Sequence, residues 1–136
     1  MEMDLERLWQ FKLSGYCCSQ MIVAMGLEAK GEENPTLIQA VSALCNGLHS
    51  GLLCGALSGA ACFLSMWDSG KAAEIMIPEL TEWFREVYGT VNCEEILAGD
   101  PMAKIEKCPN IVIETYKKAL ALLEENHCVI EGDVSC

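Results

Sequence analysis

The sequence contains no C-x-x-C pair, although nine of its 136 residues are cysteine. That absence removes the local signatures of thioredoxin-like proteins, zinc knuckles, rubredoxins and ferredoxins, which place cysteines a few residues apart. Basic residues are also scarce. Nine Lys and Arg stand against twenty Asp and Glu, for a net charge of −11. A nucleic-acid footprint needs clustered cations, so that class is excluded. An acidic surface serves solubility first, and it suits docking on a basic partner. No segment alternates polar and apolar residues over a useful length, so no strands are expected. Phosphate loops, dinucleotide fingerprints and serine nucleophile elbows are missing as well. The opening "MEMDLERLWQFKLSG" has neither a basic n-region nor an apolar h-region, so no secretory leader is expected. A reducing cytoplasm is then the expected compartment, and structural disulfides are not expected in it.

Charge is absent between Pro35 and Trp67. The glycine-rich "CNGLHSG" (45–51) cuts that run into pieces too short for a ~20-residue membrane span, and no basic flank anchors either piece. Two buried helices joined by a turn are expected instead. Aromatics make up only 7% of the chain, so aliphatic, Met and Cys side chains must fill the core.

What is present repeats with helical spacing. Leu5, Leu8, Trp9 and Lys12 mark a first short helix closed by Gly15. Cys18, Met21, Ile22 and Met25 mark a second, and Pro35 opens a third with Leu37, Ile38, Val41 and Leu44 on one face. A fourth runs from about Leu53 to Trp67. Residues 71–88 carry Met76, Leu80, Trp83, Phe84 and Val87, with Pro78 starting or kinking the helix and Gly89 ending it. "CEEILAG" fits a short helical turn. The last helix is expected to begin at "CPN" (108–110) and to bury Val112, Tyr116, Ala119, Leu120 and Leu123. The expected fold is all-α: one helical domain over residues 1–128, of about five to seven helices, followed by a short disordered tail at 129–136. Gly55 and Gly59 give the fourth helix a small face that another backbone can approach.

On these helices the cysteines concentrate at starts. Cys17 and Cys18 open the second helix, Cys54 the fourth, Cys93 the short turn, and Cys108 the last helix. Free N–H groups and the helix dipole at an N-terminus favour a thiolate, the form that binds metal or attacks a disulfide. Cys62, between Ala61 and Phe63, is expected to be a buried structural thiol that reacts more slowly than Cys54. Any site that unites these cysteines must be assembled by the fold from distant segments. His49 and His127 are expected to be solvated rather than catalytic.

In that order the residues resemble the C-GCAxxG-C-C family, which is described as redox-active. The likeness rests on Cys18 in "GYCCSQ", "CGALSG" (54–59), Cys93 in "VNCEEIL" and Cys108 in "KCPNIV", and it spans about residues 11–123. The family name writes Gly-Cys-Ala, whereas here Cys54 precedes Gly55. The resemblance implies Cys18, Cys54, Cys93 and Cys108 as the site. Thiolates at converging helix starts suit them to bind a metal cofactor or to cycle between dithiol and disulfide, with Cys45 held in reserve as a metal ligand. The group held would be an iron–sulfur cluster or zinc.

The leading expectation is a small cytoplasmic redox protein that passes electrons to a larger oxidoreductase, docking through its acidic surface. A metal-free dithiol–disulfide oxidoreductase comes second, and a structural zinc site in a helical interaction module third. A homodimer is compatible with the Gly- and Met-rich faces, and neither nucleic acid nor membrane is an expected partner.

Overall fold

Short-range signals in the chain set the helix boundaries in the computed structural model, which describes residues 5–98 and 100–128. Every regular element among them is helical. Helix α1 is Leu5–Leu13, α2 Cys18–Lys30, α3 Pro35–Val41, α4 Gly55–Ser65, α5 Ile77–Tyr88, α6 Cys93–Leu97 and α7 Pro101–Glu125. Asn34 caps α3 by accepting the Leu37 N–H at 3.0 Å, with Pro35 in the first turn. Gly31 and Gly89 end α2 and α5 at φ of 70° and 78°, a backbone region that disfavours any residue with a Cβ. The expected tail at 129–136 lies outside the described residues.

Two sequence expectations are corrected here. The last helix starts at Pro101 rather than at Cys108, because Asp100 accepts the Met102 N–H at 2.9 Å and Pro101 fills the first turn. Pro109 therefore sits inside α7 and cannot donate to the carbonyl four residues back. The helix continues through it because Ile111, Val112, Tyr116, Ala119, Leu120 and Leu123 bury its following turns. Val87, expected to face inward, is 49% exposed, and Ala72, Met76, Leu80 and Phe84 carry the buried face of that segment. Pro78 stands in the first turn of α5. The chain enters α5 through a π-helical turn at Ala72–Met76, the wider ladder that forms where an N–H is missing.

Helix α4 packs on α2 and on α7. Its Phe63 is fully buried, with ring centroids 4.7 Å from Trp67 and 5.5 Å from Tyr116. The approach of α2 depends on Gly59. A Cβ at that position would lie 2.6 Å from the Ser19 Cα and 3.1 Å from the Ser19 carbonyl oxygen. Val23, Leu27 and Val41 form a smaller cluster that seats α3 on another face of α2. Among the described residues no helix is long and apolar enough to cross a membrane. The uncharged run is broken where Asn46, Gly47, Leu48 and His49 all take positive φ, from 52° to 61°. The His49 ring lies 2.9 Å from the Ser42 carbonyl, within hydrogen-bond reach.

Candidate functional site

Two backbone hydrogen bonds bring distant cysteines side by side. The Cys54 N–H donates to the Val91 carbonyl at 2.8 Å, and the Cys93 N–H donates to the Leu52 carbonyl at 2.6 Å. They flank an isolated antiparallel bridge between Leu53 and Asn92. The starts of α4 and α6 are thereby pinned together, with Cys54 at the cap of one and Cys93 the first residue of the other. Cys18 joins from the start of α2 and Cys108 from inside α7. The four cysteines line one cavity, walled by Ala56, Ile96, Leu97 and Ile111. Its volume is about 10 Å³, the space of roughly one water-sized sphere. The inverted order of Cys54 and Gly55 does not turn this thiol away, because the cap position lies outside the first helical turn. A side chain at position 55 would instead meet the Leu44 carbonyl at 3.0 Å, with the Cys45 Cα at 3.6 Å and the Cys18 Cβ at 3.7 Å.

The electrostatics of the cluster oppose ionisation. A hydrogen bond with Cys108 holds the Cys18 thiol far above the ordinary range, and burial and the proximity of Cys108 and Cys54 push it the same way. Burial raises the Cys54 thiol too, against the opposing pull of the Leu57 and Ala56 backbone N–H groups at the start of α4. Desolvation thus outweighs the helix-start effect that the sequence suggests. Cys108 has no helix start to draw on at all, since it lies within α7.

This arrangement fixes a pH dependence. The folded-state values of Cys18 and Cys54 lie above the ordinary 9.0, so at high pH the unfolded chain loses protons that the folded one retains. The stability contributed by the buried, protonated thiols is complete below pH 9.0 and is lost as pH rises above it. Thermal melts of reduced, metal-free protein should show a melting temperature that declines on the alkaline side. A melting temperature that climbs there would contradict the buried-thiol geometry.

The remaining cysteines depart from expectation. Cys45, the further ligand of the sequence reading, is joined to Cys17 in a disulfide whose Cα atoms are 6.0 Å apart. Its sulfur carries no thiolate to offer a metal, and a disulfide forms where none was expected. Cys62 is partly buried and free, whereas Cys54 is buried at 7% exposure. Burial raises the Cys62 thiol as well. Exposure thus ranks the two thiols opposite to the expected order of reactivity. Small alkylating reagents should modify Cys62 before Cys54 in the metal-free reduced protein at neutral pH, as read by peptide mass mapping. Cys128 is buried against the core, and Cys136 lies outside the described residues.

The donor set consists of four sulfurs with apolar walls, the combination that selects zinc, copper(I) or iron–sulfur groups over hard cations. The chemistry of the site fits such a group. Cys18 and Cys108 share a hydrogen bond, and among the described residues no group of three or more His, Cys, Asp or Glu could hold a metal ion as placed. Taking up a metal therefore means releasing the protons, the Cys18–Cys108 hydrogen bond included.

A family model described as "Putative redox-active protein (C_GCAxxG_C_C)" matches residues 16–122, a span that contains all four cysteines of the cavity. No significant match was found among curated proteins or among solved structures.

Proposed function

The chain belongs to the C_GCAxxG_C_C family, and on that premise we propose that Cys18, Cys54, Cys93 and Cys108 hold a redox-active soft metal, iron alone or with sulfide, for electron transfer to a larger oxidoreductase. One observation carries this reading. Four thiols from four separate chain segments line a single apolar cavity. Four sulfurs placed so close cannot all ionise without a cation between them. When bound, the metal supplies the one-electron couple.

The chain's own residues supply the rest. Cys18 and Cys108 would each give up a thiol proton, the one shared between their sulfurs included. The N–H groups of Ala56 and Leu57 favour the anionic form of Cys54. Ala56, Ile96, Leu97 and Ile111 keep water out. The net charge of −11 steers docking on a basic partner, an attraction that weakens with salt.

The hydrogen bond between Cys18 and Cys108 favours a second reading. In that reading these two thiols close a disulfide, releasing two protons and two electrons to an acceptor disulfide. The iron, sulfide and zinc content of anaerobically purified protein, with its absorption spectrum, separates the cases. Coloured, iron-containing protein is the expected result. Metal-free protein that loses thiols in pairs on oxidation would establish the second reading. Colourless protein loaded with zinc would overturn both in favour of a structural site.

A further inference from the structure

Cys17 and Cys45 do not line the four-cysteine cavity, although Cys17 precedes Cys18 in sequence, and they are the one disulfide whose two partners both lie among the described residues. We propose that they form a second redox centre, a dithiol–disulfide couple that exchanges electrons with an external dithiol at the Cys17 sulfur. This inference goes beyond the metal reading and does not require it.

Access to the two sulfurs is unequal. Cys17 is partly exposed at the start of α2, whereas Cys45 is 5% exposed. An incoming thiol reaches the first and not the second. The surroundings are also built for the reduced form. The Ser19 hydroxyl is fully buried and donates its proton to the Val41 carbonyl at 2.8 Å. Its oxygen lies 3.3 Å from the Cys17 sulfur and 3.5 Å from the Cys45 sulfur. With that proton committed, the oxygen can only accept. In the disulfide no S–H exists to meet it. After reduction a Cys45 S–H has an acceptor waiting in a buried position, where an unpaired polar group is costly.

The backbone after Cys45 adds to this. Asn46, Leu48 and His49 carry side chains at φ of 52°, 61° and 54°, a region that L-residues occupy only under constraint. The disulfide anchors the head of this turn, and the hydrogen bonds of Leu52 and Cys54 with the α6 loop hold its far end. Opening the disulfide frees the head. An exposed disulfide is also easier to reduce than a shielded one, and the Cys17 sulfur is the more exposed member of this pair.

The exchange balances as follows. A thiolate of the external dithiol attacks the Cys17 sulfur, the S–S bond breaks, and its electron pair leaves on Cys45, which takes a proton. The second thiol of the dithiol then displaces Cys17 and closes a disulfide in the reagent. The protein pair gains two electrons and two protons, and the dithiol loses them.

The test is a redox titration of the folded full chain in buffers of reduced and oxidised dithiothreitol, quenched in acid and mapped by alkylation and mass spectrometry. The Cys17 and Cys45 peptides should become alkylated together while circular dichroism stays native. In a second measurement, Cys45→Ser protein treated with a small aromatic disulfide should form a mixed disulfide at Cys17 at least 10-fold faster than Cys17→Ser protein does at Cys45. A pair that opens only in denaturant is a structural staple, and equal capture at both sulfurs removes the exposed entry point. Either outcome overturns the inference. Metal content of the same samples is read separately, so failure here leaves the four-cysteine proposal standing.

Discussion

Replacing Cys18, Cys54, Cys93 or Cys108 by serine, one at a time, is expected to weaken metal binding at least about 100-fold. Loss of a partner one layer removed from a metal already costs ~10–100-fold, and removal of a ligand costs more. A serine hydroxyl is nearly the same size as the thiol but does not ionise at neutral pH. The cavity keeps its shape while its donor set drops to three. Cys62→Ser is the control, because Cys62 packs with the cluster around Val23, Leu27 and Val41 rather than at the cavity. Competition with a chromophoric chelator reads the affinity. Four variants that fall together, with Cys62→Ser unchanged, mark the cysteines as one site. A variant among the four that keeps full affinity would remove that cysteine from it.

Gly59→Leu is expected to unfold the protein or nearly so, and Gly59→Ala to lower the melting temperature by roughly 5–15 °C, as overpacking of ~1–3 kcal/mol does in a chain of this size. Even the first added carbon falls 2.6 Å from the Ser19 Cα. That neighbour is backbone inside α2 and cannot rotate away. Helix α2 must then shift as a body relative to α4, and it carries Cys18 with it at its start. Loss of stability should therefore come with weaker metal binding in Gly59→Ala, although the residue touches no sulfur. An alanine variant with wild-type melting and wild-type affinity would show that the two helices do not meet at this contact.

The helices were legible in the sequence where their signals are local. Pro35 starts α3 and Gly89 ends α5 as expected. Residues 108–110 misled because a proline reads as a helix start, while Asp100 and Pro101 had already supplied one eight residues earlier. The cysteine order drew attention to the residues of the cavity, but what brings them together was not legible. The Leu53–Asn92 bridge pairs backbone 39 positions apart and leaves no periodic trace. The Cys17–Cys45 disulfide spans 28 residues, and spacing cannot choose a partner among nine cysteines. The exposure of Cys62 depends on which face of α4 the neighbouring helices leave uncovered, a tertiary outcome that its apolar neighbours in sequence do not reveal.

The central claim is that four cysteines act as one ligand set, and zinc tests it without interference because it brings no sulfide of its own. X-ray absorption at the zinc edge of protein loaded with one equivalent counts the sulfurs directly. The account requires four sulfurs at ~2.3 Å, three in each of Cys18→Ser, Cys54→Ser, Cys93→Ser and Cys108→Ser, and four still in Cys62→Ser. Two sulfurs in the parent protein, or a sulfur lost in Cys62→Ser, would contradict it.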